Sequence, residues 1–119
     1  MTGGLMDGCL FCRIIKGEIP CSKVYEDEEV FAFHDISPQA PVHILVLPKK
    51  HIPDLSEMKE EDCGLMGKLV WAASSIAREK GFAGSGFRLV VNTKESAGQS
   101  VFHVHMHLMS GRNFHWPPG

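Results

Sequence analysis

Runs of apolar residues separated by turn formers divide the chain into short strands and two helices. Residues 42–47 read Val-His-Ile-Leu-Val-Leu, β-branched and apolar but for one imidazole, and predict a strand. Lys23–Glu26 and Val30–His34 predict two more, joined as a hairpin through Asp27 and Glu28. A short amphipathic helix begins near Leu10 with Phe11, Ile14 and Ile15 on one side, and Glu18-Ile19-Pro20 ends it. Over residues 60–80 the positions of Leu65, Met66, Leu69, Ala73, Ile76 and Ala77 follow helical spacing. Acidic Glu60, Glu61 and Asp62 stand at its start, basic Arg78 and Lys80 at its end, and Gly81 is a natural stop. Gly64 and Gly67 each cost about 1 kcal/mol inside a helix, which close approach by another backbone would explain. Further strands are expected over 87–92 and 101–109. Pro38 and Pro41 bracket a loop, and Pro48-Lys49-Lys50 closes the strand before it. With no internal repeat and no linker, the order predicts one α+β domain over 1–119: an antiparallel sheet with the helices on one side. Residues 1–8 read as a flexible extension.

The alternation in the last strand carries the chemistry. Residues 103–107 read His-Val-His-Met-His, so an extended backbone places His103, His105 and His107 on one face. Val104, Met106 and Leu108 fall on the other, where they can enter a core. Histidine can act as base, nucleophile, acid or metal ligand near neutral pH. A solvated strand face that happens to carry histidine is the bland alternative. The polar run Gly98-Gln99-Ser100 beside it favours a site.

Composition adds mainly exclusions. The 119 residues suffice for one core, and 44% hydrophobic with 22% charged residues is ordinary for a globular chain. A formal net charge of −2 gives no reason to expect nucleic-acid or acidic-membrane binding. No apolar run is long enough to span a bilayer, and the first residues lack the basic-then-apolar order of a secretory signal. The four cysteines (Cys9, Cys12, Cys21, Cys63) are therefore expected in a reducing cytoplasm and not in disulfides. Cys9-Leu10-Phe11-Cys12 by itself fits chance, a redox pair or half a zinc site.

Four blocks taken together resemble the histidine-triad (HIT) family, in its Hint branch of nucleoside phosphoramidate hydrolases. They are Phe33-His34-Asp35-Ile36-Ser37-Pro38-Gln39-Ala40-Pro41, Pro48-Lys49-Lys50-His51, the run from Gly98 to His107, and the tail His115-Trp116-Pro117-Pro118-Gly119. Related sugar-phosphate uridylyltransferases carry Pro between two histidines, where this chain has Val104. The resemblance implies a sheet of about five strands with one long and one short helix, and a homodimer whose two sheets join. It also implies hydrolysis of purine nucleoside 5′-phosphoramidates (AMP-amine or AMP-lysine type) through a covalent nucleotidyl-histidine.

By the same resemblance His105 is the nucleophile, His107 a donor to a phosphoryl oxygen, and Ser100 a donor to the leaving nitrogen. His43 would help hold the histidine array, although alone it reads as a core residue. Asp35 would accept the ribose hydroxyls; its plain reading is a turn cap before Pro38, and both can hold. Phe11, Phe33 and Ile36 would form a purine slot. Asn92, Gly98, Gln99 and Trp116 complete the expected nucleotide contacts. His34 and His115 receive no role, and Cys21 and Cys63 match nothing.

Some members of the family bind a structural zinc with positions corresponding to Cys9, Cys12, His51 and His103, and others lack the cysteines and bind no metal. The implied cofactor is thus a structural zinc not required for catalysis, with no organic cofactor. Other readings remain: a dinucleoside polyphosphate hydrolase or nucleotidyl transferase of the same family, a zinc hydrolase using His-x-His, and a nucleotide-binding regulatory or scaffold protein.

Overall fold

The structure is a computed structural model that describes residues 8–119, so the expected N-terminal extension lies, but for Gly8, outside the described residues. Helix α1 (Leu10–Ile15) precedes strands β1 (Lys23–Glu26), β2 (Val30–His34) and β3 (Val42–Pro48). Helix α2 (Cys63–Glu79) follows, then β4 (Arg88–Val90) and β5 (Met106–Ser110). The strands form one five-stranded sheet in the order β1-β2-β3-β5-β4, and every neighbouring pair is antiparallel.

The helices cover opposite faces of this sheet, not one side as the pattern alone led us to expect. In β2 and β3 nearly every residue is buried, so both faces need a cover. Val30, Ala32, Ile44 and Val46 pack with Leu69, Ala73 and Ile76 of α2, joined by Val104, Met106 and Leu108. The alternate residues Phe31, Phe33, Leu45 and Leu47 pack with Phe11 and Ile14 of α1. The histidines share this second face, with Phe11 edge-on to His105 at 5.0 Å between ring centroids.

α2 ends as its sequence indicates. Gly81 takes φ +84°, Phe82 N–H donates to the Ala77 carbonyl and Gly81 N–H to that of Arg78, the paired bonds of a Schellman cap. At its start Glu60–Asp62 form a separate 3₁₀ turn, in which the Asp62 carboxylate accepts from Lys59 N–H and pairs with Lys50. Gly64 and Gly67 are open: an added Cβ would meet nothing within 4 Å, so no contact among the described residues accounts for either glycine. No helix among the described residues is long and apolar enough to cross a membrane.

Candidate functional site

The histidine segment is only half a strand. β5 was expected to span 101–109, yet pairing with β3 stops at Val46↔Met106. Two residues beyond Val46 stands Pro48, which has no N–H for a ladder. Its carbonyl instead accepts from His103 Nε2 at 2.7 Å, while Val104 N–H turns to the Ile52 carbonyl at 2.8 Å. The alternation of faces survives the break: Val104 and Met106 remain in the α2 core, and the His105 and His107 rings lie 5.1 Å apart on the other side.

The partners of each ring fix its tautomer, because a carbonyl can only accept and a backbone N–H can only donate. His105 Nδ1 lies 2.7 Å from the His103 carbonyl, so Nδ1 carries the proton and Nε2 keeps a lone pair. His43 Nδ1 accepts from Gln39 N–H at 2.9 Å, so its proton is on Nε2. That Nε2–H meets His107 Nδ1 at 2.9 Å, which leaves His107 with its own proton on Nε2. The result is adjacent rings of opposite function, a lone pair on His105 and a donor on His107. Burial lowers the proton affinity of both, His107 to about 4, with His105 and His43 contributing further to His107. Both rings are therefore neutral near neutral pH.

His103, on the same face, belongs to a different cluster. With Nε2–H given to Pro48, its Nδ1 lone pair points at Cys9 Sγ (3.4 Å), Cys12 Sγ (3.5 Å) and His51 Nδ1 (3.2 Å), and Cys12 Sγ lies 3.4 Å from His51 Nδ1. All four ligating atoms lie within 4.8 Å of one another. Tetrahedral zinc with ordinary bond lengths needs N···N of about 3.3 Å and N···S of about 3.6 Å, so this donor set fits it. Cys9 also caps α1, accepting from Cys12 N–H. Burial holds His103 down at about 4 and lowers His51 as well, so both imidazoles are in the neutral form a metal requires. A second group, Asp35, His43 and His107, also gathers, but its inner nitrogens already bond each other.

Asp35 does cap a turn, its Oδ1 accepting from Ser37 N–H at 2.7 Å, while Oδ2 stands 3.4 Å from His43 Nε2. Phe11 and Phe33 are buried and meet edge-on at 5.5 Å. Ile36 is 95% and Trp116 85% exposed, so neither walls a slot within a single chain. Gly98 has φ +102° beside the Asn92 side chain. The Gln99 amide is spent on backbone groups of its own loop and of Pro53: Oε1 accepts from Lys94 N–H, and Nε2 donates to the carbonyls of Pro53 and Val101. This pins the turn that presents Ser100, on the rim of an open cavity of about 520 Å³ beside Cys9, Leu10, His51 and Phe102. Sequence reasoning named Gln39 and Pro48 only within longer blocks, giving neither its backbone role, and did not single out Asp54 or Lys94, whose hydrogen bonds hold loops and leave no periodic trace.

A sequence profile of the HIT domain matches residues 16–114. An uncharacterized HIT-like protein of Synechocystis sp. is 47% identical over 115 residues, 97% of this chain and all of that protein. Another, from Synechococcus elongatus, is 45% identical over the same lengths. Among solved structures, a HIT family hydrolase from Legionella pneumophila is 45% identical with a TM-score of 0.91, covering 93% of this chain and 99% of that one. A histidine triad nucleotide-binding protein from Candida albicans is 30% identical with a TM-score of 0.78, covering 92% and 82%.

Proposed function

The chain belongs to the HIT-domain family, and on that premise we propose that it is a nucleotide-binding hydrolase of the Hint type, cleaving the P–N bond of purine nucleoside 5′-phosphoramidates. The observation that carries this reading is the pair of opposed tautomers. In the first step His105 Nε2 attacks the α-phosphorus as the P–N bond breaks, and the amine departs with a proton taken from solvent, which the attacking water of the second step gives back. His107 Nε2–H donates to a phosphoryl oxygen, where a preformed donor is worth most as charge develops. Ser100 donates toward the leaving nitrogen. Water then attacks the phosphorus of the nucleotidyl-His105, releasing the monophosphate and restoring the lone pair. Asp35 accepts the ribose hydroxyls; Phe11, Phe33 and Ile36 receive the purine; Asn92 and the loop at Gly98 and Gln99 shape the phosphate side.

Cys9, Cys12, His51 and His103 hold a zinc in this reading. It is structural: four protein ligands close the shell, so it offers no position to substrate and serves to tie α1 to the histidine segment. Reduced cysteines at that site accord with a cytoplasmic protein. The homodimer is supported by the outer side of α2, where Val70 is 45% and Trp71 60% exposed near the open Gly67, and by β4 at the sheet edge. Trp116 would then reach the partner's pocket. Sedimentation at micromolar concentration should give a dimer.

The deciding experiment is turnover of nucleoside phosphoramidates against dinucleoside polyphosphates by the purified protein, with and without chelator. Phosphoramidates should be much the better substrates in both conditions. Faster cleavage of the polyphosphates would move the chain to another branch, and loss of activity with chelator would favour metal-assisted hydrolysis. Nucleotide binding without turnover of either class would make the chain a binding protein.

A further inference from the structure

The donor on His107 is set by a chain of contacts that begins outside the pocket, and we infer that Arg112, at the root of the C-terminal tail, is its positioning residue. β5 ends at Ser110, and Gly111 turns the backbone with φ +97° directly against the 35–41 loop. A Cβ at Gly111 would stand 2.8 Å from Pro41 Cβ, so only glycine permits this approach. Arg112 then donates from Nε to the Gln39 carbonyl at 2.9 Å. Its guanidinium is itself held, over the Phe114 ring at 4.3 Å and by Nη1 donating to the Asn113 carbonyl at 3.0 Å. Arg88 steadies the same segment, lying 5.1 Å from the Phe114 ring and donating to the His115 carbonyl.

Gln39 sits in an exposed loop, yet its N–H is the group that makes His43 Nδ1 an acceptor. If that N–H swings away, a proton can move from Nε2 to Nδ1 on His43, leaving a lone pair facing His107 Nδ1. His107 answers by the same shift, and its Nε2 loses the proton that would meet the phosphoryl oxygen. Asp35 Oδ2, 3.4 Å from His43 Nε2, favours the original tautomer. However, Asp35 belongs to the same 35–41 loop, so the anchor that holds Gln39 also holds Asp35 against His43. The kinetic part of this inference rests on the proposed hydrolase reading, and the tautomer part does not.

Nitrogen-15 NMR of the full chain labelled at histidine tests both. In the native protein His43 and His107 should carry the proton on Nε2 and His105 on Nδ1. Arg112→Ala should give mixed tautomers at His43 and His107 while His105 keeps its proton on Nδ1. kcat should fall about tenfold, with KM within about twofold. Arg112→Lys, which can still reach the Gln39 carbonyl, should recover most of both signals. Unchanged tautomers in a folded Arg112→Ala protein would overturn the inference, even if activity or melting temperature fell. Shifted tautomers in a protein that turns over no phosphoramidate would uphold it and overturn the hydrolase reading instead.

Discussion

The two ends of the histidine segment use the same side chain for opposite ends. At His103 the neighbours are lone pairs: two sulfurs and another imidazole converge on one unprotonated nitrogen, which is an arrangement for a cation. At His107 the inner nitrogen accepts from His43, and the ring turns its own N–H outward, an arrangement for an anion. His105, between them, turns a lone pair out. In each case a single backbone group makes the assignment: the carbonyl of Pro48, the carbonyl of His103, or the N–H of Gln39. The alternation of the sequence puts three imidazoles on one face, and the backbone around them decides which is ligand, nucleophile and donor.

The sharpest test of that division is to remove the two outward-facing rings separately. His105→Ala should lower turnover by at least about 10³-fold, because no other group supplies the lone pair. His107→Ala removes one donor and should cost about 10²-fold. Quenched-flow labelling with a radioactive nucleotide should find the covalent adduct in His107→Ala and not in His105→Ala. An adduct formed on His107 would reverse the roles.

At the metal end the expected loss is of stability. Cys9→Ser with Cys12→Ser should lower the melting temperature by about 8 °C, the equivalent of about 2 kcal/mol for a domain of this size. Turnover by the folded fraction should change by less than about threefold. Elemental analysis of the native protein grown with zinc should find about one ion per chain. A double variant that melts with the native protein would show that the cluster does not clamp α1.

How far these two ends were legible in the sequence follows from what periodicity can encode. The face shared by His103, His105 and His107 was readable, since a period of two is fixed by strand geometry. So was α2, with its buried Leu69, Ala73 and Ile76 and its Gly81 stop. The late start of β5 was not, because it depends on Pro48, which lies 58 residues before Met106 in sequence and comes near it only through the pairing of Val46 with Met106 in the sheet. Placing both helices on one side of the sheet overlooked that β2 and β3 are apolar at almost every position. The tautomers were hidden altogether, being set by peptide groups that carry no side-chain identity.

Acid should separate the two ends again, more gently. In the folded protein His107 takes a proton only near pH 4, against an ordinary value of about 6.5. Between those values the unfolded chain binds a proton that the folded one refuses, so stability rises with pH across this window. It is lost progressively as pH falls from about 6.5 to about 4, and this group causes no further loss below. His103, also at about 4, adds the same dependence in metal-free protein. Urea melts from pH 7 downward should therefore steepen in the zinc-stripped form, while kcat stays flat through neutrality. A stability plateau down to pH 4 would mean that these rings are protonated or exposed in the folded state.

The smallest effect is expected at Lys94, in the loop that presents Ser100. Its backbone has φ 70° and ψ 171°, a region otherwise almost reserved for glycine, at a cost of about 1–3 kcal/mol. Four hydrogen bonds impose it. Gln99 Oε1 accepts the Lys94 N–H at 2.7 Å, the Lys94 carbonyl accepts from Ala97 and Gln99, and the ammonium reaches Asp54 at 3.1 Å. The ion pair is worth little, since the Lys94 side chain is 59% exposed, and Asp54 retains its bond from Ser56 N–H. Lys94→Gly removes the strain but frees the unfolded chain by about 1 kcal/mol, so the melting temperature should stay level or rise by about 4 °C. Lys94→Ala keeps the strain and loses the pair, and should melt below both. Equal melting of the Gly and Ala variants would show that the backbone at Lys94 relaxes freely, and Ser100 would then owe its position to Gln99 alone.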